Sequence, residues 1–156
     1  MALERTFVML KPDCVTRGLI GEVISRIEKK GLCIVAMKMI RLDEKKVDEH
    51  YAHLKDKGFY PELKRFVMAS PVVAMVVEGV GAVSVMRDMC GPTNARKAPA
   101  GTIRGDFSNS VQKNVIHCSD SKETAEQEIK RFFKKEEVFE SYSTKLVYAD
   151  EEVGNQ

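Results

Sequence analysis

Apolar residues recur along this chain with two different periods, and the switching between them predicts its elements. Ile20, Val23, Ile24 and Ile27 stand at i, i+3, i+4 and i+7, the stripe of an amphipathic helix. Gly31 follows, a residue type that readily closes a helix. Val83, Met86 and Cys90 mark a second stripe; Ala125, Ile129, Phe132 and Phe133 mark another, with Asp120 or Ser121 as its N-cap. Residues 44–54 and 60–68 read as a pair of helices around Gly58. The strand signals lie between these. Residues 6–10 are apolar until Lys11-Pro12-Asp13, where proline stops a central strand. Residues 32–42 have a β-branched, alternating middle, and residues 72–77 are apolar enough to be buried on both faces. Val115-Ile116 is a short strand. Residues 91–113 are rich in Gly, Pro, Asn and Ser, have no period, and read as one long loop, a length typical of functional loops. The resulting order, β-α-β-(αα)-β-α-loop-β-α, fits an α+β, ferredoxin-like split arrangement with an extra helical hairpin.

Length and charge narrow the function classes. The 156 residues suit one domain, 1–156, ending in a polar tail over residues 149–156. A formal net charge of +2 is too small to draw nucleic acid or an anionic membrane by field alone. Cysteines 14, 33, 90 and 118 form no C-x-x-C pair, which excludes zinc-ribbon and thioredoxin-like readings. The start, with acidic Glu4, is not a secretory signal, and no apolar run approaches the roughly 20 residues of a membrane span. Free thiols then point to a reducing, cytoplasmic setting. There is no P-loop; the Gly79-Val80-Gly81 turn has Ser84 where a dinucleotide fingerprint needs its third glycine; and Asp106-Phe107-Ser108 is not the magnesium motif of protein kinases.

The residues that could carry chemistry are few. His117 lies where Val115-Ile116 gives way to a polar helix start. It reads as a core histidine, as a metal ligand, or as a nucleophile facing a helix N-terminus that favours anions. His50 and His53, three apart on a helix, could share a face, but no third ligand stands at metal spacing. Lys11, Arg87 and Arg104 sit at a strand end, a helix rim and a glycine-flanked loop, positions suited to phosphate. Phe59 is either core or a ring on which a base can stack.

The segments Lys11-Pro12-Asp13, Gly101-Thr102-Ile103-Arg104-Gly105-Asp106 and Asn114-Val115-Ile116-His117, followed by Ser119-Asp120-Ser121, resemble those of nucleoside diphosphate kinases in order and spacing, within a match covering residues 5–148. The resemblance implies a ferredoxin-like βαββαβ fold with a four-stranded antiparallel sheet covered by helices, and the long loop as one wall of a nucleotide cleft. It implies transfer of the terminal phosphoryl of a nucleoside triphosphate, mainly ATP, through a phosphohistidine at His117 to a nucleoside diphosphate, sustaining NTP and dNTP pools. By the same resemblance Lys11, Arg87, Thr93 and Arg104 hold phosphates, and Phe59 and Val111 sandwich the base. Lys11 and Asn114 reach the sugar, Tyr51 lies beside His117, and Ser119 and Glu128 support the imidazole. Periodicity leaves Glu126 and Glu128 equivalent; the resemblance chooses Glu128. Mg²⁺ is expected on the nucleotide phosphates, with no protein side-chain ligand. The expected partners are ATP, GTP, GDP and deoxynucleoside diphosphates and copies of the same chain in a homo-oligomer, a hexamer in most members and a tetramer in some, with no membrane or specific nucleic acid. The chain departs from the family at Cys14 and Cys118, where glycine is usual, and at Ala95, where proline is usual. A Cys14–Cys118 disulfide is conceivable, although Cys118 is expected to point away from His117 as a buried bystander. The rival classes are an RNA-binding module on the same sheet, which lacks the aromatic strand motif it needs, and an idle regulatory domain, which the intact His117 opposes.

Overall fold

The computed structural model describes residues 3–142 and 147–153. Strand β1 (Leu3–Leu10) runs into helix α1 (Pro12–Thr16), and α2 (Ile20–Lys29) leads to β2 (Cys33–Ile40). Helix α3 (Glu44–His50), a single 3-10 turn at Ala52–Leu54 and α4 (Tyr60–Met68) connect β2 to β3 (Val72–Val80). Helix α5 (Ala82–Cys90), a 3-10 turn at Ala95–Lys97 and α6 (Ile103–Phe107) precede β4 (Ile116–Cys118) and α7 (Lys122–Phe132). The sheet order is β2-β3-β1-β4 with every neighbouring pair antiparallel, the ferredoxin-like arrangement read from the sequence.

Alternation along the central strands divides the core. Phe7 and Met9 of β1 join Val35, Val47, Val76 and Phe132 on one face. Val8 and Leu10 join Val23, Ile27, Met75, Met86 and Ile116 on the other. Helices cover both faces, so β3 is buried along nearly its whole length, as its unbroken apolar run requires.

Several local features differ from the sequence reading. Pro12 ends β1 but also opens α1, because proline's missing N–H is tolerated in a helix's first turn. The long loop is not featureless. It holds the Ala95–Lys97 turn and α6, whose N-cap Thr102 accepts a hydrogen bond from the Gly105 N–H at 3.0 Å. A Cβ at Gly105 would stand 1.9 Å from the Pro99 carbonyl oxygen, so this turn tolerates only glycine there. Helix α7 is capped by Ser121, whose hydroxyl accepts from the Thr124 N–H at 3.1 Å, and not by Asp120. Of the polar tail, residues 150–153 form one helical turn; residues 154–156 lie outside the described residues.

Candidate active site

The site is built where β1 and β4 lie side by side. Leu10 pairs with Ile116 and Met9 with His117, which brings Lys11 beside the Asn114–His117 segment. Val115 is not part of β4. It adopts a φ of 63°, a conformation β-branched residues avoid, and the Ile116 N–H closes a tight turn onto the Asn114 carbonyl at 2.8 Å. Distant partners impose this. The Val115 N–H donates to the Asp13 carboxylate at 3.0 Å, and its carbonyl accepts from the Lys11 N–H at 2.9 Å. The shift puts His117 inside the strand and not at its end, so its side chain stands on one face and that of Cys118 on the other.

His117 is a quarter exposed, and its Nε2 is hydrogen-bonded to the carboxylate of Glu128. A carboxylate only accepts, so in the singly protonated ring Nε2 carries the proton and Nδ1 keeps its lone pair. Glu128 is 3% exposed, whereas Glu126 is exposed; burial chooses between the two where periodicity could not. The site therefore presents an imidazole with one nitrogen held against a buried carboxylate and the other left for a nucleophilic role.

Cations gather around it. The ammonium of Lys11 donates to Asn114 Oδ1 at 2.7 Å, and the Asn114 amide donates to the carbonyls of Thr93 and Val111 at 2.9 and 2.8 Å. One side chain thus ties the β1 end to both stretches of the long loop. Burial, helped by the nearby Arg104 charge, pulls the Lys11 pKa down to about 8. Arg104 is buried, with its guanidinium donating to the Gly91 and Ile116 carbonyls, both at 2.7 Å. Arg87 is exposed on α5, near enough for its charge to act on the Cys90 and Cys118 thiols.

Phe59 does not take its core reading. It is 48% exposed at the N-cap of α4 and so is not core, while the next residue, Tyr60, is buried and donates its hydroxyl to Asp48 at 2.6 Å. Val111 is also half exposed. Lys113, two residues on, lies 6.0 Å above the ring of Phe66, two helical turns along α4 from Phe59, so this loop runs beside α4.

Two expected neighbours are placed less directly. The ring of Tyr51 meets that of His50 at 4.6 Å, and His50 meets His117 at 4.9 Å, so Tyr51 is one ring removed. The Ser119 hydroxyl is engaged by the backbone N–H and C=O of Phe7, at 3.3 and 3.4 Å. The His50–His53 pair does not form a site: His50 is buried and His53 is exposed. All four cysteines are free and buried, so no Cys14–Cys118 disulfide is present, and burial pushes the Cys14 pKa up to about 12.

Sequence reasoning missed Asp13 as the anchor of the Val115 turn, His50 as a neighbour of His117, and Arg131, whose Nη1 lies 2.9 Å from His50 Nδ1. The only local signal for Arg131 is its position three residues after Glu128, on the same side of α7. Among the described residues, His50, His117 and Glu128 bring possible metal-ligand atoms within 4.8 Å of one another. This nitrogen-rich set does not suit Mg²⁺, which takes oxygen.

Comparison with known proteins shows the family and the fold. A family model described as nucleoside diphosphate kinase matches residues 4–138. The chain is 51% identical over 152 residues to a nucleoside diphosphate kinase of Parabacteroides distasonis, covering 96% of this chain and 99% of that one. It is 54% identical over 140 residues to one from Ignicoccus hospitalis, covering 90% and 95%. Among solved structures, it is similar to a halophilic nucleoside diphosphate kinase of Halobacterium salinarum in complex with CDP. The TM-score there is 0.90 at 45% identity, over 94% of this chain and 99% of that one. The apo enzyme of Encephalitozoon cuniculi gives a TM-score of 0.88 at 41% identity, over 93% and 99%.

Proposed function

Because the chain belongs to the nucleoside diphosphate kinase family, whose members are phosphotransferases, we propose that it moves the terminal phosphoryl group of a nucleoside triphosphate onto Nδ1 of His117 and from there onto a nucleoside diphosphate. The observation that carries this reading is the His117–Glu128 pair, which occupies Nε2 and leaves Nδ1 to act as the nucleophile on a side chain that is a quarter exposed. The lone pair on Nδ1 forms the N–P bond while the bond from phosphorus to the bridging oxygen breaks, its electrons leaving with the diphosphate. With Nδ1 phosphorylated and Nε2 still protonated, the ring becomes cationic, and the buried Glu128 carboxylate offsets that charge. An oxygen of the incoming diphosphate then attacks phosphorus, and the N–P electrons return to Nδ1. One site serves both substrates in turn. Incubation with γ-labelled ATP is expected to leave acid-labile, alkali-stable label on the protein, which GDP then discharges. Transfer without protein-bound label would exclude the two-step route.

Phosphoryl transfer through a loose transition state calls for positioning and charge neutralisation more than for an acid or base. Lys11, Arg87, Arg104 and the Thr93 hydroxyl are the phosphate ligands in this reading. Asn114 and Lys11 also reach the sugar. Mg²⁺ bound by phosphate oxygens supplies further neutralisation, and no side chain of this site is assigned to it. The CDP complex of the halophilic relative supports a nucleoside diphosphate as ligand here.

The exposed Phe59 ring offers a base a stacking surface, with the half-exposed Val111 as its proposed partner, and stacking reads a π face and not base edges. Purine and pyrimidine nucleotides are therefore all expected to react, with kcat/KM values spread over roughly 10–100-fold, about 1.4–2.8 kcal/mol. A strict requirement for one base in steady-state assays would contradict stacking as the mode of recognition.

In this reading the chain is one domain that acts in the cytoplasm, draws chiefly on ATP and balances NTP and dNTP pools as a homo-oligomer, a hexamer. Met37 and Met39 are 56% and 57% exposed on the edge strand β2 and supply apolar surface for such an assembly.

A further inference from the structure

His50 is buried at the back of the site. Its ring contacts those of His117 at 4.9 Å, Phe132 at 5.1 Å and Phe7 at 6.0 Å. Its Nδ1 lies 2.9 Å from Nη1 of Arg131. A guanidinium only donates, so Nδ1 must offer a lone pair. A neutral imidazole has one proton, which is therefore on Nε2. That N–H has no hydrogen-bond partner and stands 3.7 Å from the Glu128 carboxylate, whose Oε1 is likewise unpartnered. At this distance the contact is not a hydrogen bond, but it is an attraction between an N–H dipole and a buried charge in a low-dielectric site.

We propose that Arg131 is a positioning residue for phosphoryl transfer: it holds the proton of His50 on Nε2, so that Glu128 faces an N–H and keeps its bond to His117. The inference rests on His117 being the phosphoryl carrier. Were the His50 proton on Nδ1, the Nε2 lone pair would face the carboxylate and compete with it for the His117 N–H. Were His50 doubly protonated, it would draw the carboxylate away from His117. The groups facing His50 are Glu128 and Arg131 of α7, His117 of β4, Lys11 at the end of β1, and Tyr51 and His53 beside it in sequence. Burial, then the charges of His117 and Arg131, lowers the His50 pKa to about 2, so the ring stays neutral through the working range. Arg131 is itself held in place: its guanidinium Nε lies 3.6 Å from Glu49, and its carbonyl accepts from Lys46 at 2.8 Å. The same geometry removes His50 from any zinc-like grouping with His117 and Glu128, because neither of its nitrogens has a free lone pair.

The test uses the full-length protein labelled with ¹⁵N, as wild type, Arg131→Met and Arg131→Lys. Long-range ¹H–¹⁵N spectra are expected to show wild-type His50 protonated only on Nε2 from about pH 6 to pH 8, the range in which free histidine titrates. Arg131→Lys retains a donor and should keep that tautomer. Arg131→Met should populate the Nδ1–H or doubly protonated form, lower kcat about tenfold, and move the acid limb of kcat to higher pH. Its KM for nucleotide should stay within about twofold, since Arg131 is not assigned to the nucleotide. Nδ1–H in wild type overturns the proposal, as does an Arg131→Met enzyme that loses activity while His50 keeps its tautomer or that keeps its kcat. If Arg131→Met fails to fold, the wild-type and Arg131→Lys spectra still decide. Failure of the carrier role would appear separately, as phosphoryl transfer surviving His117→Ala whatever the His50 tautomer.

Discussion

His117→Ala is expected to acquire no label from γ-labelled ATP and to lose roughly 10⁵-fold in steady-state transfer, about 7 kcal/mol of barrier. The magnitude follows from the absence of a substitute. His117 supplies the only assigned nucleophile, and its neighbour Cys118 faces the opposite side of the sheet, where it is buried in the apolar cluster with Cys90. His50 is close but buried, with Nδ1 covered by Arg131. Lys11, Arg104 and Asn114 remain in the variant, so nucleotide binding should survive the loss of turnover. Comparing nucleotide-induced shifts in Tm with transfer rates separates the two. An alanine variant that still exchanges phosphate between ATP and GDP at near wild-type rate would remove His117 from the reaction.

Much of this site was legible in the sequence because its parts sit at element ends that local pattern reveals. Gly58, between two helical segments, placed Phe59 next to a helix start, and the apolar run before Lys11 placed that residue at a strand end. The features that escaped are those set by long-range partners or by elements too short to have a period. Helices α1 and α6 have five residues each, a little over one turn, so no apolar repeat could announce them. For α6, the spacing of Thr102 before Gly105 was the available cap signal. The turn at Val115 cannot be read from its neighbours, because a valine there is locally unfavourable and the compensating carboxylate, Asp13, is 102 residues away. The Arg131–His50 contact spans 81 residues and joins two helices whose packing no periodicity specifies. Family resemblance could name Glu128, but only the fold shows why: the buried rim of α7 faces His117, and the exposed rim carries Glu126.

Lys11→Met is expected to lower kcat/KM by about 10²–10³-fold, the usual effect of removing one preorganised group that stabilises developing charge. Its second effect is on pH dependence, where activity and stability should move in opposite directions. In the folded protein burial lowers the Lys11 pKa to about 8 from the ordinary 10.5. Below about 8 the ammonium is charged in both folded and unfolded states, and the whole cost of burying it, on the order of 3 kcal/mol, is present. Between about 8 and 10.5 the unfolded chain binds more protons than the folded one, so stability rises with pH. Transfer needs the charged form to hold phosphate, so kcat/KM should fall above about pH 8. Bound phosphates are anionic and raise the Lys11 pKa, which puts the alkaline limb of kcat at higher pH than that of kcat/KM. Thermal melts of nucleotide-free wild type and Lys11→Met across this window isolate the group, because other titrations are common to both and cancel in the difference. Wild type should gain on the variant as pH rises from 8 towards 10.5, while losing activity. A difference that stays flat would mean that Lys11 keeps its ordinary proton affinity, and the alkaline limb would then belong to another group.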